Sequence, residues 1–410
     1  MNKIVFDCGF GDSGKGTIVD YHTHSTEAKW NVRYSGGPQC AHRVVLPNGK
    51  DHIFAQFGSG TLQGASTLYS ENSLFNPLAW QKELERLDGL LDKPEKNFYV
   101  HENAIVIDAV HRKLNMADAR KNGHGSTGHG CWKALEMNLL YPELTIRVKD
   151  LKNANILREK VEALFEKYVE LEPSMLGYRR PIEFDVLLYE FVKSKILNIV
   201  DDDWIAKNLG NRNDIIFEGN QGFLIDPDYG FYPYVTANDA THLSAMKFID
   251  KYLTNKEHEK VGVIRHYLSR HGPGFFPTEQ KMVVLKEANK PQEFTGEMRY
   301  GYMDIPLMNY VATLVQLDTL AITCLDQDVL TSKICEAYEH SELTGIPYLE
   351  KPEVYNKQES LLRTQKLQTV EAPCYRNRIS TVEILRNIYE PTKGMILSNG
   401  PTCKDKFLRN

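Results

Sequence analysis

Cys8-Gly9-Phe10-Gly11-Asp12-Ser13-Gly14-Lys15-Gly16-Thr17 follows the apolar run Ile4-Val5-Phe6 and leads into Ile18-Val19-Asp20-Tyr21. The order reads as a strand, a glycine-rich turn and the start of a helix. Glycines let the backbone pass close to an anion, and the first amides of a helix are unpaired donors at the positive end of its dipole. Gly9 to Lys15 keeps the G-x-x-x-x-G-K spacing of a phosphate-binding loop, but Gly16 stands where a Ser or Thr would hold Mg²⁺. Asp12 is an acid that an ordinary phosphate loop does not need. It is placed to hold a metal or take a proton; the bland alternative is a solvated Asp in a tight turn.

The 410 residues suffice for a large core and, by the usual size prior, for roughly two or three lobes. A formal net charge of -5 gives no overall basic field to draw the chain to nucleic acid, so a small phosphorylated ligand is the more economical anionic partner. The 7 cysteines are widely spaced, odd in number and without a C-x-x-C pair, against both a disulfide framework and a zinc site. A reducing cytoplasm is expected. The chain opens almost at once with a buried-type strand, leaving no room for a signal peptide, and its most apolar long window, Val311 to Leu325, is broken by Gln316 and Asp318. No membrane span is expected.

Further along, Asn31 to Tyr34 reads as a strand running into Ser35-Gly36-Gly37-Pro38-Gln39-Cys40-Ala41-His42, with another strand, Arg43 to Leu46, behind it. His42, leaving a glycine-rich loop, is a candidate acid; a turn histidine satisfied by hydrogen bonds is the commoner fate of a single His. Asn76 to Leu91 has helical periodicity, and Phe98 to Val100 with Ala104 to Ile107 reads as buried strand. Asn122-Gly123-His124-Gly125-Ser126-Thr127-Gly128-His129-Gly130 is a second glycine-rich loop, suited to oxyanion or phosphate contact, whose two histidines lack a third metal ligand nearby. Leu151 to Val200 is rich in Lys, Glu and Leu at helical spacing.

A buried strand returns at Asp214 to Phe217, followed by Glu218-Gly219-Asn220-Gln221-Gly222 and a long loop through Tyr232-Pro233-Tyr234-Val235-Thr236. A further strand, Val261 to Ile264, leads to a loop ending Phe276-Pro277-Thr278-Glu279. Then come the loop Phe294 to Gly301, a helix from Ile305 to Leu317, the strand Leu320 to Cys324, and the strand Gly394 to Leu397 ending in Ser398-Asn399-Gly400-Pro401. Repeated strand, loop and helix order predicts an α/β fold with a large, mainly parallel central sheet, flanking helices and ligands at the strands' carboxyl ends.

Seven of these loops, in unchanged order over nearly the whole chain, resemble the adenylosuccinate synthetase family: Gly11 to Gly16, Gly36-Gly37 to His42, Gly125 to Gly128, Phe217 to Gly222, Tyr232 to Thr236, Phe276 to Glu279 and Ser398 to Pro401. The resemblance implies one catalytic domain over 1–410 with a mostly helical lobe at about 108–200. It also implies a ligase that joins aspartate to the 6-position of a purine nucleotide, after a nucleoside triphosphate has phosphorylated the 6-oxygen. Asp12 would remove the N1 proton, His42 would be the acid that stabilises the 6-oxyanion, and Lys15 would neutralise phosphate charge. Mg²⁺ would be held by Asp12 and the carbonyl of Ala41, and Gln221 would contact the 6-oxygen or its phosphate. Gln39, Ser126, Thr127 and Thr236 would hold the acceptor monophosphate, and Thr295, Gly296, Arg299 and His129 the aspartate. Gly11, Ser13, Gly14, Gly16, Thr17, Asp328, Ser398, Asn399, Gly400 and Pro401 would line the triphosphate site.

Departures from the family pattern set expectations of their own. Ser13 stands where the common enzyme has glutamate, which makes room for a 2-substituent on the purine. Glu297 replaces the first arginine of the aspartate loop, a residue the family also places near the ribose 2′-hydroxyl. Leu325-Asp326-Gln327-Asp328 replaces the guanine-reading Thr-Lys-x-Asp, pointing to ATP or dATP rather than GTP. Together these resemble the aminoadenine-pathway branch of phages whose DNA carries 2,6-diaminopurine, which joins dGMP to aspartate. His129 replaces a family arginine, and the arginine donated across the family's dimer interface has no counterpart between Glu136 and Arg147, so a homodimer is expected without that contribution. The rival readings are an ordinary IMP enzyme using GTP, and a silent nucleotide binder. Against the latter stands retention of Asp12, Lys15, His42 and Gln221, since a binder needs no placed base and acid.

Overall fold

The strand Asn2–Asp7 (β1) is buried at all of its positions, as a strand covered on both faces must be. The computed structural model describes residues 1–122, 128–173, 186, 189–190, 192–194, 197–281, 296–327, 333–339, 356–370, 372–377 and 380–409. Beside β1 the central sheet holds Trp30–Arg33 (β2), Ser66–Tyr69 (β3), Phe98–His101 (β4), Asn198–Val200 (β5), Ile215–Glu218 (β6), His258–Arg265 (β7), Thr319–Thr323 (β8), Met395–Ser398 (β9) and Lys406–Arg409 (β10). The 10 strands lie in the order β10-β9-β8-β7-β1-β6-β2-β3-β4-β5. All neighbours are parallel except β9 and β10, which form an antiparallel edge.

Alternation along the strands divides the core between the two faces. Ile4 and Phe6 of β1 join Phe217, Ile264, Leu320 and Ile322 in one cluster. Val5 points the other way, with Val261, Val263, Ala321 and Ile396, beneath Ile18 and Val19 of the helix Lys15–Thr26 (α1). A third cluster around Trp80 and Phe98 is built with the helix Pro77–Leu87, which Asn76 caps through the Ala79 amide. Helices at Ala109–Asn122, Cys131–Leu140 and Ala154–Leu171 follow before β5. Among the described residues no helix is long and apolar enough to cross a membrane.

Three sequence expectations need correction. The helix that starts at Ile305 ends at Leu314, not Leu317: Val315 is already extended, and the chain beyond it seats Leu317 against Gly262 of β7, where a Cβ would lie 2.6 Å from the leucine. The stretches around Ser269 and Arg299, read as loops, form paired strands, Leu268–His271 against Met298–Gly301, with Glu279–Gln280 on the other side. β3, β5 and β10 are not read as strands from the sequence: β3 mixes Ser and Thr into a short run, β5 closes the stretch 151–200 read as helical yet pairs in parallel with β4, and β10 is an edge with Phe407 and Leu408 exposed.

Candidate active site

Because the nine parallel strands run one way, the loops leaving β1, β2, β6, β7, β8 and β9 gather at one edge of the sheet. Asp7 ends β1 fully buried and organises the first of them. Its Oδ1 accepts from the Gly9 amide (2.8 Å), and its Oδ2 accepts from the Ser13 amide (3.0 Å) and the Lys15 ammonium (3.1 Å). Lys15 Nζ also donates to the Gln221 carbonyl at 2.5 Å, which joins this loop to the one after β6. From β7 and β8, Arg265 Nε donates to the Asp12 carbonyl (2.8 Å) and Thr323 Oγ1 to that of Ser13 (2.6 Å). Asp12 sits in the left-handed region at φ 58, which Asp tolerates better than most residues. Its half-buried carboxylate makes no hydrogen bond or ion pair among the described residues. Gly14 caps α1 at φ 85 without a side-chain bond, leaving the helix's first amides to an incoming anion.

Gly222 explains the close approach of the β6 loop: a Cβ there would collide with the Gly11 amide and the Gly9 carbonyl. Leu224 N donates to that same Gly9 carbonyl at 3.0 Å. Beside it the Gln221 side-chain Oε1 is buried with no hydrogen-bond partner, an orphaned acceptor of the sort a ligand satisfies.

His42 opens the strand His42–Val45, which pairs with Asp51–Phe54. Gly16 faces it: a Cβ on residue 16 would sit 2.8 Å from His42 Cβ and 3.1 Å from Ser59 Oγ. The missing Ser or Thr of the phosphate loop is therefore a packing requirement of His42. The imidazole Nδ1 is 2.5 Å from Oε1 of Glu218, the fully buried last residue of β6. Ser59 donates to Glu218 through both its amide (2.9 Å) and its hydroxyl (2.5 Å), and Arg33 Nη1, also fully buried, lies 4.0 Å away. Burial pushes the Glu218 carboxyl up, but Arg33, His42 and Ser59 outweigh it and hold the pKa at about 2. Burial lowers the His42 pKa, Arg33 and Lys15 push the same way, and Glu218 offsets them only in part.

The remaining candidates lie around this centre. Gln39 Oε1 is met by the Cys131 thiol at 2.7 Å, so the acceptor loop touches the start of the helix Cys131–Leu140. Thr236 is buried, its amide donating to the Ile225 carbonyl. Thr17 Oγ1 donates to the Pro401 carbonyl at 2.8 Å, Asn399 N to that of Asp405 at 2.9 Å, and Leu325 N to that of Ser398 at 3.1 Å. The phosphate loop, the altered base-reading segment and the last glycine turn are thereby neighbours. His129 is held low, at about 4, by burial and then by Arg112. Gly296, at φ 72, offers its carbonyl to His271 Nε2 at 3.1 Å. Arg299 is committed inside the chain: Glu279 takes two of its N–H groups (2.9 and 2.5 Å) and the carbonyls of Gly272 and Gly274 take Nη1. Ser126, Thr127, Thr295 and Asp328 lie outside the described residues.

Sequence reading missed Asp7, Arg33, Ser59, Glu218 and Arg265 as site residues. For four of them a signal existed: Asp7, Arg33, Glu218 and Arg265 each end a strand directly after a buried apolar residue. A charge at the carboxyl end of a buried parallel strand points at the crevice.

As a magnesium site, Asp12 and the Ala41 carbonyl offer the hard oxygen donors that ion prefers. The Asp12 carboxylate is free among the described residues, and Gly16 leaves no room for the usual hydroxyl ligand. A separate group, Glu71, His101 and Asp202, brings metal-ligand atoms within 4.8 Å of one another. Its centre is already served: Lys251 Nζ lies 3.0 Å from Glu71 and 3.2 Å from Asp202, and His101 accepts the Asn103 amide on Nδ1, leaving Nε2 to donate to Asp202.

A parallel sheet with a phosphate loop at its leading strand, a free acid beside it and a carboxylate-backed histidine across from it forms a site suited to an anionic nucleotide. The adenylosuccinate synthetase profile matches residues 4–396, and the chain belongs to that family. Adenylosuccinate synthetase from Thermoplasma acidophilum is 28% identical over 352 residues, covering 80% of this chain and 77% of its own. That of Buchnera aphidicola is 31% identical over 353 residues, covering 82% and 80%. The fold matches the fully ligated adenylosuccinate synthetase of Plasmodium falciparum at TM-score 0.82 (20% identity, 99% of each chain). It matches the succinoaminodeoxyadenylate synthetase of cyanophage S-2L bound to dGMP and dATP at 0.63 (15% identity, 99% and 95%). The chain is therefore a carbon-nitrogen ligase that joins aspartate to a purine nucleotide.

Proposed function

We propose that this enzyme joins L-aspartate to the 6-position of dGMP, with ATP or dATP phosphorylating the 6-oxygen first, and so yields N6-succino-2-amino-2′-deoxyadenylate for diaminopurine DNA. The observation that carries the reading is Ser13. Its buried side chain reaches only to the Gly11 carbonyl (3.5 Å), and in this reading a residue shorter than the family's glutamate accommodates a purine 2-amino group. Exposed Glu297, in place of an arginine near the 2′-hydroxyl, supports a deoxyribose. The cyanophage enzyme of the same fold is described with dGMP and dATP bound.

In this reading Asp12 removes the N1 proton of the acceptor. His42 faces the developing 6-oxyanion with Nε2, since Nδ1 is given to Glu218; the ionised Glu218 supplies the countercharge when the anionic nucleotides favour the imidazolium. Gln221 offers its unpaired side chain to the 6-oxygen. Lys15 keeps its bonds to Asp7 and Gln221 and presents its third N–H to phosphate. Gln39 and Thr236, with Ser126 and Thr127, hold the acceptor monophosphate. Arg299, with Thr295, Gly296 and His129, takes the aspartate carboxylates by exchanging Glu279 for substrate. Asp12 and the Ala41 carbonyl would hold Mg²⁺, which neutralises phosphate charge when bound. The working form is a homodimer in the cytoplasm, the host's if the chain is phage-encoded.

A second reading, IMP with GTP, is favoured by the relatives at 28% and 31% identity, all named adenylosuccinate synthetase. The deciding experiment measures product from aspartate and Mg²⁺ with dGMP or IMP, each against ATP, dATP and GTP. Turnover of dGMP with an adenine nucleotide and not of IMP is expected. Preference for IMP with GTP would overturn the dGMP reading, and nucleotide binding without turnover of any pair would leave the silent binder.

A further inference from the structure

Lys406 opens the edge strand β10, and lysines are seldom buried without an acid beside them. This one is 7% exposed and forms no ion pair among the described residues. Its ammonium instead donates to two backbone carbonyls of the turn between β9 and β10, those of Gly400 and Thr402, each at 2.8 Å. The turn is drawn tight around it. Asp405 Oδ2 accepts from the amide and hydroxyl of Thr402 (both 2.8 Å), a Cβ at Gly400 would lie 2.7 Å from that same oxygen, and Ser398 Oγ donates to the Gly400 carbonyl at 3.3 Å. Outwardly the turn is tied to α1 through Thr17 and to the base-reading segment through Leu325.

From this geometry we infer that Lys406 is the positioning residue of the nucleoside-triphosphate site: its ammonium pins the Ser398–Thr402 turn against the phosphate loop and thereby sets affinity for the triphosphate, without touching it. The inference rests on the reading that this turn takes the triphosphate and not the acceptor. Each carbonyl has one further partner, the Ser398 hydroxyl on that of Gly400 (3.3 Å) and the Asp405 amide on that of Thr402 (3.1 Å); the ammonium bonds both at once, and without it each loses its charge-assisted bond and the turn loosens. The charged and titratable groups around the ammonium are Asp405 and Cys403 on its own segment, Asp20 on α1 and Cys324 at the end of β8. They do not make up for burial, which lowers the Lys406 pKa to about 8.

The test is steady-state kinetics of K406M and K406R, with each substrate varied in turn, from pH 6.5 to 9.5, using whichever of ATP, dATP and GTP the parent turns over best. Melting temperatures are recorded alongside. In the parent, KM for the triphosphate is expected to climb above about pH 8 while those for acceptor and aspartate stay level. K406M is expected to raise the triphosphate KM roughly ten-fold at pH 7 with kcat within about two-fold. K406R, whose guanidinium stays charged, is expected to restore most of the affinity and lose the alkaline rise. A lower melting temperature with every KM unchanged would make Lys406 purely structural and overturn the inference. A rise confined to the acceptor's KM would overturn the assignment of the turn itself. Should K406M not fold, the K406R pH profile alone decides: an alkaline rise that persists unchanged refutes the role.

Discussion

His42 Nδ1 and Glu218 Oε1 are 2.5 Å apart, and the histidine therefore presents Nε2 to the crevice. Glu218 answers three groups from three other parts of the chain, His42, Ser59 and Arg33, none of them near it in sequence. The catalytic histidine of the proposed mechanism is thus held by a carboxylate that is itself held ionised, with a pKa of about 2.

Glu218→Gln separates these roles. The amide accepts one hydrogen bond as before but cannot balance an imidazolium, and it leaves Arg33 as an uncompensated buried charge. Activity is expected to fall about 10²-fold, as for loss of a general acid, with stability down by about 3 kcal/mol. Steady-state rates and denaturant unfolding of the variant measure the two losses. Full activity in a folded E218Q protein would remove Glu218 from the mechanism.

Gly16→Ser restores the residue an ordinary phosphate loop carries, yet is expected to harm this one. The new Cβ meets His42 Cβ at 2.8 Å and the Arg43 carbonyl at 3.2 Å, so the histidine strand must move away from α1. The expected cost is about 1–3 kcal/mol of stability with a larger loss of kcat than of nucleotide affinity, because the hydroxyl is no worse for phosphate and only His42 is displaced. Comparing ATP binding by calorimetry with kcat decides it; unchanged kcat would show that the hairpin yields freely.

How far the sequence could be read follows from the same positions. The parallel sheet and the loops at its carboxyl edge were legible because glycine spacing and apolar runs are local signals, as in Gly9 to Lys15 after β1. What escaped was long-range. That Gly16 serves His42, that Asp7 underlies both Ser13 and Lys15, and that Glu218 joins β2 to β6 through Arg33 are facts of packing between segments up to about two hundred residues apart. The short strand β3 and the pairing of Leu268–His271 with Met298–Gly301 escaped for a related reason: partner strands, not their own composition, make them strands.

Glu279→Gln tests whether Arg299 is available to substrate. The pair is partly exposed, at 42% for Glu279 and 25% for Arg299, so its net worth is at most about 1 kcal/mol. If aspartate must displace Glu279 to reach the guanidinium, removing the competing charge is expected to lower KM for aspartate by up to about five-fold, leaving that for the acceptor unchanged. A higher KM would mean instead that Glu279 shapes the aspartate loop and that Arg299 is a strut of the Leu268–His271 and Met298–Gly301 pair.

Asp304→Asn is expected to flatten the pH dependence of stability. Asp304 caps the helix Ile305–Leu314 through the Leu307 amide (3.1 Å) and accepts from Tyr338 OH (2.7 Å), while its Oδ2 is buried with no hydrogen-bond partner. Burial raises its pKa from 3.8 to about 7, more than those two bonds lower it. Between these values the folded state keeps a proton that the unfolded state has released, so stability is greatest at the acid end and declines as pH rises from about 4 through 7. Glu218, with its folded pKa at about 2, acts in a separate window, losing stability only as pH falls below about 4.5. Asn caps a helix as well as Asp does and carries no charge to desolvate. Urea midpoints at pH 5 and pH 8 should therefore lie closer together in D304N than in the parent, the remaining slope in that direction including that of Asp226, whose pKa burial and Asp239 likewise raise to about 7. An identical gap in both proteins would mean that Asp304 stays ionised throughout, with its charge balanced by the helix N-terminus and Tyr338.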